Sequence, residues 1–254
     1  MDGSHLPQVT QDENARALAA RYAPIILADE REPFTIVAVG YTIFDHADAS
    51  PSFPKRRIEV GAGSSRPAGS SRPAGSSRPA GSSRADAVAT RAVEYALWWD
   101  WDIEHLYELE HVWVFLDADG TVVAVEASWH GMFGPAEIDG KPPLEGTHPV
   151  LLAQPGKHAM AATPEPFAEI REWAEQATGR DAGKEGVLDN GLFRGKLHKT
   201  PENDARVMAY LKPRAFTPAW NFTKRFPVTR EMLLPWPALA EWIPARVAWW
   251  LGRI

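Results

Sequence analysis

Residues 95–113 read YALWWDWDIEHLYELEHVW. Aromatic and aliphatic side chains dominate the run, which suits extended chain. Set among them are Asp100, Asp102, Glu104, His105, Glu108, Glu110 and His111. Carboxylates among Trp and Leu are costly to bury unless something neutralises them. A divalent cation is an economical partner, because oxygen and imidazole ligands can surround it. The same run also reads as a strand with one wet face and no ion.

Outward from this stretch, ELEHVWVFL, DADG and TVVAVEASWH form a hairpin, with Asp119 and Gly120 as the turn signal. A three-residue loop of Ala118, Asp119 and Gly120 pairs Asp117 with Thr121. That register sets Leu109 opposite Trp129, Trp113 opposite Val125 and Phe115 opposite Val123, an apolar face expected to meet the core. On the other face it sets Glu108 opposite His130 and Glu110 opposite Ser128. A loop one residue longer or shorter would move His130 away from both glutamates. His111 falls on the apolar face, where a core histidine bonded to a carbonyl is expected.

Upstream, residues 11–22 predict a short helix ended by Pro24, followed by extended segments in YAPIILADEREPF and TIVAVGYTIF. Residues 63–85 repeat GSSRPA. This composition offers nothing apolar to bury and predicts a disordered insertion. Downstream, GMFGPAEIDGKPPLEGTHPV is rich in turns, and HPVLLAQPGKHA carries a short strand between His148 and His158. Residues 165–178 predict an amphipathic helix, and PENDARVMAYL another. Residues 229–254 predict a helical segment packed on a single domain, 1–254. Its four tryptophans suit burial and also suit contact with a membrane surface.

The bulk numbers exclude several classes. With 254 residues, 44% hydrophobic and 24% charged, the chain fits a soluble globular protein. A net charge of -6 with no basic stripe argues against nucleic acid. The absence of cysteine excludes disulfides, thiolate metal sites and a cysteine nucleophile. The polar, acidic start lacks the pattern of a signal peptide, so a cytoplasmic location is expected.

EHLYELEHV resembles the heptapeptide region GHRHDWEHV of the necrosis- and ethylene-inducing toxins of plant pathogens. His105 takes the place of the first histidine, Glu108 of the aspartate, Glu110 of the glutamate and His111 of the following histidine. YALWWDWD looks like the strand that precedes it, with Asp102 at its aspartate. The Tyr-Ala-Pro segment, SWHG and HPVLLAQPGKHA are similar to landmarks of the wider vacuolar-protein-sorting-like relatives of fungi and bacteria. Tyr107, Leu109 and the shortened loop before His105 depart from the toxins, as does the lack of cysteine. These departures point to a distant bacterial relative rather than a secreted toxin. The resemblance implies a mainly β fold, a central antiparallel β-sandwich with peripheral α-helices. It also implies a divalent metal held by carboxylates and one histidine.

Two functions follow from the residues. In one, Asp102, His105, Glu108 and Glu110 hold Mg²⁺, Ca²⁺ or Mn²⁺ in a hydrolase or lyase acting on a small-molecule or glycan substrate. His130 is then the general base, with His148 or His158 assisting. In the other, the same metal recognises a glycan or lipid headgroup without chemistry.

Overall fold

The computed structural model describes residues 3–61 and 88–254; the repeat at 63–85 lies outside the described residues. Its centre is the pair β5 (Arg91–Trp101) and β6 (His105–Leu116), antiparallel from Arg91 opposite Leu116 to Trp101 opposite Leu106. Around it the chain runs from α1 (Glu13–Arg21) through β1 (Ile25–Ala28), β2 (Ile36–Phe44), β3 (Asp48–Ala49) and β4 (Arg57–Ile58). After β6 come β7 (Val122–Trp129), β8 (Met132–Pro135), β9 (Leu144–Glu145), β10 (His148–Ala153) and β11 (Met160–Ala161). The rest is α2 (Glu165–Glu169), α3 (Arg171–Thr178), β12 (Gly186–Val187), α4 (Pro201–Leu211), β13 (Lys224–Pro227), β14 (Leu233–Pro235) and α5 (Trp236–Leu251).

The strands form two facing sheets and a small β3–β4 ribbon. The larger runs β14-β2-β5-β6-β7-β8, with β12 added on β6; the smaller runs β11-β10-β1-β13, with β9 on β10. The expected β-sandwich is present, and most pairs are antiparallel. β1–β10, β6–β12 and β2–β14 pair in parallel, so the sheets are mixed. Helix formation at the N-terminus is local: Asp12 caps α1 by accepting from the Asn14 and Ala15 amides. The helix expected over 165–178 is broken at Ile170, where the first turn closes through a bond from the Ile170 amide to Phe167 O.

Both faces of the central pair are buried. Val93, Tyr95 and Leu97, with Val112, Val114 and Leu116, pack in the main core with Ile26, Leu151 and Ala153 of the smaller sheet. Trp113 and Phe115 join Phe44, Ile58, Val60, Ala89 and Ala92 in a second cluster. Trp113 and Phe115 of the apolar face predicted for β6 thus line this smaller cluster while Leu109 joins the main core, and the Glu108–Glu110 face turns toward the facing sheet. A strand covered on both sides reads as a nearly continuous apolar run, which hides which side carries the core.

The second cluster encloses a polar network. His111 Nε2 donates to Ser52 Oγ (3.0 Å), and Ser52 donates in turn to Glu94 Oε1 (2.5 Å). Trp113 Nε1 donates to Glu94 Oε2 (2.7 Å). The core histidine is therefore held by Ser52, through its hydroxyl as well as its backbone. Burial lowers its pKa to about 3, so the ring stays neutral.

The 118–120 loop has the expected geometry: the Asp117 amide donates to Thr121 O (3.0 Å), and Gly120 has φ 77°. A bulge at Phe115/Leu116 then shifts the register by one. Trp113 lies opposite Glu126 and Phe115 opposite Ala124, so the expected pairs Trp113–Val125 and Phe115–Val123 do not form.

α5 closes the outer face of the larger sheet. It approaches β2 at Gly40, where a Cβ would stand 2.9 Å from Leu239 Cδ2 and Trp236 Cε3. Trp236 and Trp242 are buried in this packing, while Trp249 and Trp250 are half-buried.

Candidate cation and ligand site

The candidate site lies where β5 hands over to β6. Asp102 closes the turn: its Oδ1 accepts from the Glu104 amide (2.7 Å), and its own amide donates to His105 O (3.0 Å). Tyr107 then takes the left-handed conformation, φ 63°, rare for a bulky side chain. Its carbonyl accepts from His105 Nδ1 (2.7 Å). This bond fixes the tautomer and leaves Nε2 unprotonated, the arrangement in which a histidine binds metal. Parallel pairing of Gly186 with His105 holds the strand from its outer side.

Asp102, His105 and Glu108 each present a donor atom within 4.8 Å of the other two, and this group can hold a metal ion. His105 Nε2 is 3.6 Å from Asp102 Oδ1 and 3.7 Å from Glu108 Oε2; the half-exposed Glu185 lies 4.0 Å away. Asp102 Oδ2 is buried without a hydrogen-bond partner. An orphaned carboxylate oxygen beside a lone-pair nitrogen fits a cation that completes both.

Glu110 stands outside this group. Its Oε2 accepts from Ser128 Oγ, and it also takes a bond from the His130 backbone amide. The expected Glu110–Ser128 contact therefore exists, although the bulge sets Ser128 beside His111, whose amide donates to Ser128 Oγ (2.6 Å).

The main charged group missed in the sequence is Lys157. Its Nζ lies 2.8 Å from Asp102 Oδ1, 2.9 Å from Glu104 Oε2 and 3.5 Å from His105 Nε2. Lys184 reaches Glu104 Oε1 (2.7 Å) from the surface. A lysine between a glycine and a histidine in a turn carries no sequence signal that it will be buried.

These charges set the protonation of the cluster. Burial alone would raise the Asp102 carboxyl, but His105 and Lys157 outweigh it and hold it below its ordinary value. Burial would lower the Lys157 ammonium, yet Asp102 and Glu104 hold it raised and charged. Burial lowers His105 to about 4, so its ring is neutral. Burial, reinforced by Glu110 and Asp102, raises Glu108 well above normal, and burial lifts Glu110 to about 7. The cluster thus holds more carboxylate than its two ammonium groups neutralise. Glu108 and Glu110 must take up protons, or a further cation must be bound.

The three histidines expected to move protons are placed differently. His130 turns its backbone to Glu110 at φ 48°, while its ring bonds Gln154 Oε1 (2.8 Å) and meets Trp173 edge-on. His158 is buried, stacked on Trp99 with its Nε2 3.4 Å from Glu32 Oε1. His148 bonds Ala23 O (2.7 Å) at the start of β10. The Lys157 turn follows the other end of that strand, roughly 17 Å away at ordinary strand rise.

No family model matches the chain, and no curated protein does. The solved structures to which it is similar are necrosis- and ethylene-inducing toxins. "NLPPya in complex with glucosamine" is 19% identical over 64% of this chain and 75% of that one, at a TM-score of 0.36. "Necrosis and Ethylene inducing Protein 2", from the causal agent of cocoa's Witches Broom disease, is 16% identical over 72% and 88%, at 0.34. "Toxin fold for microbial attack and plant defense" is 18% identical over 85% and 98%, at 0.36. Similarity this low leaves the chemistry of the site to be read from the chain's own residues.

Proposed function

We propose that the protein is a non-catalytic recognition module. It takes a hydroxyl-rich headgroup, glycan or lipid-borne, at the Asp102–His105–Glu108 cluster, with a divalent cation as the bridge. The cation supplies positive charge and open coordination for sugar oxygens, and Mg²⁺, Ca²⁺ or Mn²⁺ suits the carboxylate excess. The observation that carries the reading is the surplus of buried carboxylate, which reaches solvent through Glu108 and Glu185.

A hydrolase or lyase needs a base free to move a proton. The rings of His130, His158 and His148 bond Gln154, Glu32 and Ala23 O in turn, rather than Asp102, His105 or Glu108. Recognition asks nothing of them.

Calorimetry with glucosamine, mannosamine and a glycan array, each with Ca²⁺ or with chelator, is the test. Binding should depend on the cation, and Glu108→Gln should weaken it about tenfold or more, as expected when a charged ligand atom is replaced. Turnover of any of these ligands, with or without the cation, or equal binding by the variant, would remove this assignment.

A further inference from the structure

We propose that the Lys157 ammonium is the resident cation of this site. A divalent ion binds only as that ammonium swings out, so Lys157 sets the concentration at which the site takes metal. The inference rests on Asp102, His105 and Glu108 being the cation ligands.

The backbone that carries Lys157 is clamped. The Gly156 amide donates to Glu32 Oε2 (2.7 Å), and Gly156 O accepts from the Ile103 amide (2.8 Å). Gly156 has φ 70°, and a Cβ there would stand 2.9 Å from both Ile103 Cγ2 and Thr178 Cγ2. The Lys157 and His158 amides both turn back onto Gln154 O (3.2 and 2.9 Å). With the turn fixed, the flexible four-carbon stem is what can move.

The ammonium stands within 2.8 Å of Asp102 Oδ1 and 3.5 Å of His105 Nε2, two of the three donor atoms of the group. Its side chain is only 5% exposed. A divalent ion on those donors would share them with a positive charge at contact distance. Two cations on one carboxylate oxygen in a buried setting repel strongly. Lys184 also pairs with Glu104, but it is 42% exposed and touches neither Asp102 nor His105, so it offers a matched control.

Mn²⁺ calorimetry on the full chain decides the matter. Lys157→Met keeps the stem and removes the charge. It should bind Mn²⁺ about 100-fold tighter than wild type, whereas Lys184→Met should stay within about threefold. The melting temperature of Lys157→Met should fall without metal and recover with Mn²⁺. A measurement on the wild type guards against a variant that does not fold. Lys157 should resist an amine-acylating reagent in chelator and become reactive in excess Ca²⁺, read by mass spectrometry. Equal Mn²⁺ affinity in wild type and Lys157→Met, or unchanged protection in Ca²⁺, would overturn the proposal. If neither protein binds a divalent ion, the cation reading of the site falls with it; tight binding by both removes only the part assigned to Lys157.

Discussion

At the scale of single residues, Glu110 links protonation to stability. Its carboxyl is raised to about 7, chiefly by burial, while in the unfolded chain it titrates near 4.5. The native state therefore binds the proton more tightly. That contribution is fully present below pH 4.5 and is lost as pH rises through 7. Glu110→Gln mimics the protonated form and keeps an oxygen to accept from Ser128. It should be within about 1 kcal/mol of neutral at pH 5 and stabilising by roughly 3 kcal/mol at pH 8.5. Denaturant unfolding at the two pH values checks this; an equal effect at both would show that Glu110 titrates normally. His105 and Glu108 sit on the same strand, yet each has its own environment. A bond to Tyr107 O fixes one, and the Leu109 amide donates to the Oε1 of the other (2.7 Å).

At the scale of elements, the joint between β5 and α5 is an ion pair. Arg246 Nε and Nη2 reach the two oxygens of Asp100 at 2.9 and 2.7 Å, and Trp98 Nε1 donates to the same carboxylate (3.0 Å). Both partners are buried. Such a pair adds little over an apolar contact, but breaking one side strands a charge. Asp100→Ala should cost about 3–5 kcal/mol, while Asp100→Leu with Arg246→Met should return most of that loss. Chemical denaturation of the two proteins measures the difference. If the double variant is as unstable as the single, the guanidinium was not the source of the cost. The β6–β7 hairpin shows the complementary case. Its turn chemistry is local, and the bulge four residues before Gly120 re-aims everything beyond it.

At the scale of the whole molecule, the described chain on either side of 62–87 is joined by a backbone bond. The Gly61 amide donates to Ala89 O (2.8 Å), beside the second apolar cluster that holds Val60 and Ala89. Deleting 63–84 leaves a connection of ordinary length between those anchors. The melting temperature should move by no more than about 3 °C, because loop-closure entropy varies slowly with length. A large fall on deletion would show that the segment packs on the domain.

Legibility follows from the range of the interactions involved. The strand character of 95–101 and 105–116 and the turn at Ala118–Gly120 were legible locally, as was the grouping of Asp102, His105 and Glu108, though not the exclusion of Glu110 from it. Each depends on side-chain chemistry and φ/ψ preferences within a few residues. The sequence also marked SWHG and QPGKHA as chain near the candidate site. Tertiary structure alone decided the rest. The bulge at Phe115/Leu116 is a feature of how β6 and β7 pair, and its one-residue slip moves Glu126 and Ala124 opposite Trp113 and Phe115. The wet face expected for β6 is covered because a second sheet lies over it. Lys157 enters the carboxylate cluster from 52 positions past His105. A buried ammonium is stable only where distant segments bring carboxylates to it, and no local pattern of residues encodes that meeting.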